Sequence, residues 1–310
     1  MKSSSRYSKL LTLFLAARPK FFTASAAPVL VGSALGYATC GTFHPVLFTL
    51  ALLATMALHA GANITNDYFD HASGNDWVNQ NPTPFSGGRR FIQQGILSPK
   101  ETLAVAIAIL TIGSLIGLVI VLMTKSVFIL TLGLAGLFGG FFYTASPIRL
   151  GYRCIGEAVI ALLFGLLPVY GSYYLQTESI DAIVLLPAVI VAILIFLVIL
   201  VNEFPDAAAD AAVNKRTLVV HFGVPAAVRI YRFALLASFI IAAVMLIFPA
   251  VSLAGMFYLF TLPIAVFAAK FANKKDLTAP GRYLANKTTI LLHGLGSLAL
   301  AAGFIVSALR

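Results

Sequence analysis

Charge is the scarcest resource in this chain. Only 10% of its 310 residues are Asp, Glu, Lys or Arg, against about 25% in an ordinary soluble domain. With 60% hydrophobic residues and a mean hydropathy of +0.95, no soluble core absorbs so much apolar sequence, and the bilayer is the expected solvent. Cysteine is almost absent. Cys40 and Cys154 match no metal-ligand spacing, and the topology below puts them at opposite membrane faces, which excludes a disulfide scaffold. A small-residue cleavage site after a short apolar run is also missing, so residues 1–38 are not expected to be a removed leader. The net charge of +10 does not indicate nucleic acid, because the basic residues sit in short gaps between apolar runs and form no patch.

What is present is a series of apolar runs near the 20 residues a span requires. Nine are expected, at roughly 21–38, 45–65, 100–122, 127–144, 155–174, 182–202, 226–248, 251–271 and 287–308. The first is interrupted by Pro28 and Gly32. The fold expected is an all-α integral membrane bundle forming a single domain over 1–310, with two long polar gaps at 66–99 and 203–225. With the N-terminus cytoplasmic and the spans alternating, Lys2, Arg6 and Lys9 through to Lys287 fall inside, and only Lys125 and Arg310 of the 21 basic residues fall outside. That bias sets orientation, and a miscounted span would scatter it.

The acids follow another logic, since carboxylates contribute little to orientation. Asp67, Asp70, Asp76, Glu101, Glu203, Asp206 and Asp210 gather in or beside the two long gaps. In the first, Asn66 and Asp70 stand four apart, on one face of a continuing helix, with His59 and Asn63 on the same stripe. In the second, Asn202, Asp206 and Asp210 repeat the four-residue step. Each motif opens with Asn at the end of a span and sets an Asp four residues on. The two lie four spans apart, as a parallel internal repeat requires.

Stacked carboxylates beside hydrocarbon are costly unless a hard cation neutralises them. Mg²⁺ takes oxygen ligands and is typically held by one or two carboxylates plus substrate phosphates. Asn66, Asp67, Asp70, Asp76, Asn202, Asp206 and Asp210 are therefore the candidate ligands of two ions bridged by a diphosphate. Asn66, Asp70, Asp206 and Asp210, with Lys215, are the candidate catalytic set. Arg89 and Arg90 follow the first motif, and Lys215 and Arg216 the second; Arg suits bidentate phosphate contact and Lys a point charge. Asn63, Asn202, Tyr143 and Arg149 complete the candidate substrate-binding set, the last two from the polar turn Tyr143-Thr144-Ala145-Ser146-Pro147-Ile148-Arg149, placed to line an acceptor pocket. Glu157 has Arg153 one turn away as an expected partner, His221 and His293 read as structural, and Phe and Leu of the spans would shape a greasy tunnel.

These motifs resemble the UbiA-type superfamily of membrane prenyltransferases. Its Asn-Asp-x-x-Asp element is matched at Asn66, Asp67 and Asp70, its Asp-x-x-x-Asp element at Asp206 and Asp210, and its Tyr-x-x-x-Pro-x-Arg-Leu element at Tyr143, Pro147, Arg149 and Leu150. The resemblance implies nine helices in two pseudo-repeats and transfer of a prenyl group from its diphosphate. Gly74-x-Asp76, Lys215-Arg216-Thr217-Leu218 and Tyr152-Arg153-x-x-Gly156-Glu157 most resemble the 1,4-dihydroxy-2-naphthoate polyprenyltransferase branch of menaquinone synthesis. That implies an aromatic acceptor whose ring carboxylate leaves as CO₂, and a place in the inner (plasma) membrane with the site on the cytoplasmic side. The expected partners are a prenyl diphosphate, the acceptor and membrane lipids. Asn214, where the branch has Gly, and Arg89, where it often has a small residue, are departures consistent with another acceptor or prenyl length. Other acceptors within the superfamily are 4-hydroxybenzoate, haem, a chlorophyll precursor or a glycerol phosphate. A reading from another class is an ion-coupled transporter, whose acids would sit nearer the midplane.

Overall fold

The computed structural model describes residues 9–80, 82–279 and 281–310; Lys2 and Arg6, counted above for orientation, lie outside them. Among the described residues every regular element is helical, and the one strand-like contact is an isolated bridge between Arg153 and Arg216. In chain order the helices are α1 (Lys9–Ala16), α2 (Thr23–Cys40), α3 (Pro45–Ala72), α4 (Asn75–Val78), α5 (Pro99–Thr124), α6 (Val127–Phe141), α7 (Gly156–Thr177), α8 (Ala182–Glu203), α9 (Ala207–Ala212), α10 (Leu218–Phe222), α11 (Val224–Met245), α12 (Pro249–Leu259), α13 (Leu262–Phe271), α14 (Lys274–Thr278) and α15 (Leu284–Ala308).

Six helices, α3, α5, α7, α8, α11 and α15, are long and apolar enough to cross a membrane. Two bent pairs pass the same test together, Leu11–Phe21 with α2 at 52° and α12 with α13 at 53°, each a broken span or a re-entrant loop. The protein is thus a multi-pass membrane protein. The run expected at 127–144 stops at Phe141 and is 15 residues long, short of the usual span, because a turn takes over before Tyr143. Pro28 sits inside α2 without ending it.

Local chemistry sets the ends. Ser98 and Glu101 close a capping box at the start of α5, where Pro99 occupies the first turn. Ser126 caps α6, Thr217 caps α10 and Asn273 caps α14. Within α7, Leu162–Leu166 form a π-turn. Pro168 lacks an N–H, so the carbonyl of Phe164 loses its usual helical partner, and the wider turn accommodates that loss.

The core is built on α8 and α15. Ile190, Leu194, Leu197 and Leu200 of α8 and Leu292, Leu300 and Phe304 of α15 are fully buried. Lipid tails are as apolar as these side chains, so close packing rather than water exclusion holds the helices together. Gly32 illustrates it: a Cβ there would stand 2.2 Å from the Val169 carbonyl oxygen, so α2 and α7 meet backbone to backbone. Buried hydroxyl pairs add direction, Tyr231 with Thr289 at 2.6 Å and Ser238 with Tyr258 at 2.8 Å, each worth on the order of 1 kcal/mol. α5 and α6 lie at the margin, where Ile112, Leu115, Leu122 and Phe138 remain exposed to face acyl chains.

Candidate active site

α3 runs unbroken to Ala72 and carries Asn66 and Asp70 on one face, with the Asn66 amide donating to Asp70 Oδ2 at 2.7 Å. Gly74, at φ 83°, turns the chain in a conformation that favours glycine; α4 then presents Asn75 and Asp76, and Asn79 follows just past its end. The second motif departs from the expected stripe. Asn202 lies in the last turn of α8, which stops at Glu203; the chain restarts as helix at Ala207, Phe204 keeping helical dihedrals while Pro205 supplies no N–H to carry the hydrogen-bond ladder on. Asp206 lies in that turn and Asp210 on α9.

The two motifs are laced together across the bundle. The Asn75 amide donates to Asp210 Oδ1 and the Asn79 amide to Asp206 Oδ1, each at 2.9 Å. The Ser86 hydroxyl donates to Asp206 Oδ1 at 3.1 Å and the Gly87 N–H to Asp206 Oδ2 at 3.0 Å. Lys215 Nζ stands 3.3 Å from Asp210 Oδ1. Gly87 and Gly88 both take left-handed backbone, φ 74° and 68°, which lets this loop cross the motif acids closely; a Cβ on Gly88 would lie 3.2 Å from an Asp67 oxygen.

Between the motifs is a cavity of about 200 Å³. Asp70, Asp76, Glu203, Asp206 and Asp210 line it, against only Arg18 and Lys215 as cations. That excess of acid would repel a diphosphate. Burial first, then the neighbouring Asp70 and Asp67, push Asp76 up to about 7; burial and Asp210 push Asp206 up to about 6. Burial alone would lower the Lys215 ammonium, but Asp70 and Asp210 more than offset it and hold it well above its usual value. Asp70 Oδ1 and Asn75 Oδ1 are buried without a hydrogen-bond partner. Unpaired acceptor oxygens in an acid-rich pocket are the donor set a hard divalent cation takes. Among the described residues no three acid, His or Cys side chains gather closely enough to cage an ion unaided.

A second cavity, of about 320 Å³, lies deeper and is apolar. His59, Ala62, Gly140 and Phe164 line both, so the two meet at a neck. There His59 Nδ1 is 2.6 Å from the Ser25 hydroxyl, and its ring stands edge-on to Phe164 at 4.7 Å between centroids.

The sequence pattern of the UbiA prenyltransferase family matches residues 25–307. The chain belongs to this family. It is 35% identical over 221 residues, 69% of this chain and 70% of the relative, to a 1,4-dihydroxy-2-naphthoate octaprenyltransferase of Haemophilus influenzae. It is 28% identical to the enzyme of the same description from Escherichia coli, over 83% of each chain. Its fold matches a solved UbiA homolog from Archaeoglobus fulgidus bound to GPP and Mg²⁺, with a TM-score of 0.71 at 16% identity, covering 96% of this chain and 100% of that one.

This UbiA-family prenyltransferase gathers part of the expected site and leaves part outside. Asn63, Asn66, Asp70, Asp76, Tyr143, Asn202, Asp206, Asp210 and Lys215 all line the first cavity. Asp67 is not among the lining residues; its carboxylate is held by the Arg18 guanidinium. Four arginines also stand off the lining. Arg89 Nε donates to the Leu15 carbonyl, and Arg90 to the carbonyls of Asn79 and Asp76. Arg149 packs over the Tyr152 ring at 5.4 Å, and the Arg216 backbone N–H donates to the Tyr152 carbonyl. Glu157 does not pair with Arg153. Its buried Oε1 accepts from the Leu218 N–H at 2.6 Å, while Arg153 Nε donates to the Ile148 carbonyl. Asn214 sits at φ 57°, a left-handed position where Asn is tolerated in place of Gly, so that departure is met conformationally.

Sequence reasoning assigned no site role to Arg18, Asn75, Asn79, Ser86 or Gly87. Asn75 and Asn79 carried a readable signal, the same four-residue step one turn beyond Asp70. Arg18 carried none, being indistinguishable from the other basic residues that flank spans.

Proposed function

We propose that the protein transfers a polyprenyl group from its diphosphate to an aromatic acceptor of the 1,4-dihydroxy-2-naphthoate class, as in menaquinone biosynthesis. The observation that carries this reading is the pair of joined cavities, one acid-lined and polar, the other apolar, meeting at His59 and Phe164. A prenyl diphosphate has the same two-part chemistry. The names of the H. influenzae and E. coli relatives support the acceptor class.

In this reading Asn66, Asp70, Asp76, Asn202, Asp206 and Asp210 would hold two Mg²⁺ ions. Bound there, magnesium would neutralise charge on the departing diphosphate. Lys215 and Arg18 are the chain's own cations facing that group. Asn75, Asn79, Ser86 and Gly87 hold the second-motif acids in position, so no reorganisation is required when charge develops. The allylic carbon loses its carbon–oxygen bond to diphosphate, which leaves with the electron pair, and forms a carbon–carbon bond to the ring carbon that bears the carboxylate; that carboxylate departs as CO₂ and its bonding pair restores the aromatic ring. The apolar neck keeps water from capturing it. Tyr143 faces the cavity as a candidate acceptor contact, whereas Arg89, Arg90, Arg149 and Arg216 shape loops around it. The topology in this reading is nine spans, counting α6, with the N-terminus and both motif loops on the cytoplasmic side of the inner membrane.

The deciding experiment incubates purified protein with radiolabelled geranylgeranyl diphosphate, Mg²⁺ and each of several acceptors in turn. A lipid-soluble product and diphosphate release with 1,4-dihydroxy-2-naphthoate, and not with 4-hydroxybenzoate, is expected. Transfer to another acceptor alone would overturn the assignment of acceptor, and no diphosphate release with any acceptor would overturn the transferase reading.

A further inference from the structure

Two buried carboxyl groups take no part in the mechanism above. Glu203 closes α8 and Glu157 lies in the first turn of α7, and they are 7% and 1% exposed. An acid buried in a membrane helix is costly and calls for a partner. Neither has a cation. Of the two cations on the polar cavity, Arg18 pairs with Asp67 and Lys215 with Asp210.

Glu157 is accounted for on one side. Its Oε1 accepts the Leu218 N–H at 2.6 Å, which anchors the carboxyl to the start of α10. Its Oε2 is buried without a hydrogen-bond partner. Glu203 is less satisfied. Its Oε2 is also buried without a partner, and among the described residues no N–H or hydroxyl donates to either of its oxygens. Its neighbour is the Glu157 carboxyl. One proton shared between two carboxyls can satisfy the edges they turn to each other. It does nothing for the edge that Glu203 turns to the cavity it lines.

The surroundings define what belongs at that edge. Ile199 and Ile195 continue the α8 wall from Glu203 at four-residue steps, and Ile160 and Phe164 of α7 line the cavity beside them. In the other direction stand Asp206 and Asp210. Tyr143 also lines the cavity, close enough for Glu203 and Glu157 to act on its phenol. Its hydroxyl makes no hydrogen bond among the described residues. An acceptor oxygen lacking a donor, at the border between an apolar wall and the acid-lined end, suits a flat apolar body that carries a hydroxyl.

We propose that Glu203 receives a ring hydroxyl of the aromatic acceptor, with Glu157 positioning its carboxyl and the ring lying against Ile160 and Ile199. The proposal rests on the transferase reading above. As the ring carbon attacks, electron density moves from the hydroxyl oxygen into the ring, and its O–H becomes a stronger donor. The hydrogen bond to Glu203 is therefore stronger in the transition state than in the ground state.

The test is steady-state transfer by the full chain, at saturating prenyl diphosphate, to 1,4-dihydroxy-2-naphthoate, 1-hydroxy-2-naphthoate and 4-hydroxy-2-naphthoate. Each analogue lacks one ring hydroxyl. The parent chain should use at least one analogue about tenfold or more less well in kcat/KM. Glu203→Leu should lower kcat/KM for the dihydroxy acceptor by at least about tenfold and shrink that preference to within about threefold, because hydroxyl and carboxyl act as a pair. Glu203→Ala should do the same, and it decides the matter if the Leu variant fails to insert. The Mg²⁺ midpoint should stay within about twofold of the parent's. Three results overturn the proposal. They are a parent chain without preference, equal losses for all three acceptors in the variants, and a larger shift of the Mg²⁺ midpoint, which would give Glu203 to the metal. If the parent chain transfers to no acceptor, the functional reading itself fails, a result distinct from these.

Discussion

Asp206→Asn is the most informative single change. The carboxylate receives three hydrogen bonds, from the Asn79 amide, the Ser86 hydroxyl and the Gly87 N–H, and it lines the polar cavity. Asparagine keeps the size and one acceptor oxygen, so Asn79 and Ser86 retain a partner, but its amide NH₂ then confronts the Gly87 N–H. Losing that one charge-assisted bond costs roughly 1.5–3 kcal/mol of local stability, which is tolerable for a helical bundle and should leave the protein inserted. The functional loss is larger. One negative ligand disappears from the metal-binding set, and metal-derived charge stabilisation is worth several kcal/mol. A loss of about 3–4 kcal/mol from transition-state stabilisation corresponds to a fall in kcat on the order of 10²–10³. The assay is single-turnover transfer of radiolabelled prenyl diphosphate at saturating acceptor, run across a Mg²⁺ titration. The variant should show both the reduced plateau and a midpoint shifted to higher Mg²⁺. A plateau within about threefold of the parent chain and an unchanged midpoint would refute the assignment of Asp206 to the metal-binding set.

The raised Asp76 and Asp206, up to about 7 and about 6 from an ordinary 3.8, mean that the metal-free folded state holds protons the unfolded chain releases. Its stability should therefore fall as pH rises from about 4 to about 7, and Mg²⁺ should raise Tm more at pH 8 than at pH 5; an equal shift at both would contradict it. Lys215→Ala, which removes a cation that meets phosphate in ground and transition states alike, should raise the KM for prenyl diphosphate more than it lowers kcat. Arg149→Ala, stacked on Tyr152 and away from the cavity lining, should change the acceptor KM by less than about threefold; a tenfold rise would return Arg149 to the acceptor site. Reporters fused within 66–99 and within 203–225 should both read cytoplasmic and one near 175–181 external, and opposite sides for the two motif loops would be incompatible with a shared site.

The fold class and much of the polar site were legible in one dimension, because the signals are local. Each run of about 20 apolar residues declares a helix in lipid, where every backbone group must be satisfied within its own segment. Asn66 and Asp70 could be paired from their spacing because α3 continues through them. The same spacing misled at Asn202, Asp206 and Asp210, where Pro205 breaks the helix and the acids converge through a turn instead. Charge near the motifs was likewise readable as composition but not as direction: Arg89, Arg90 and Arg216 sit beside the motifs in sequence, yet Lys215 and the remote Arg18 are the cations that face the cavity.

By itself, then, the sequence determined that this chain lives in a membrane, where its helices run, and that two acid motifs share a side, since hydropathy and residue spacing are properties of neighbouring residues. Only the tertiary structure decided that Asn75 and Asn79 of the first motif hold Asp210 and Asp206 of the second, that Arg18 holds Asp67, and that an apolar cavity joins the polar one at His59 and Phe164. Those facts depend on which helix faces span one another across the bundle, and packing of residues distant in the chain settles that.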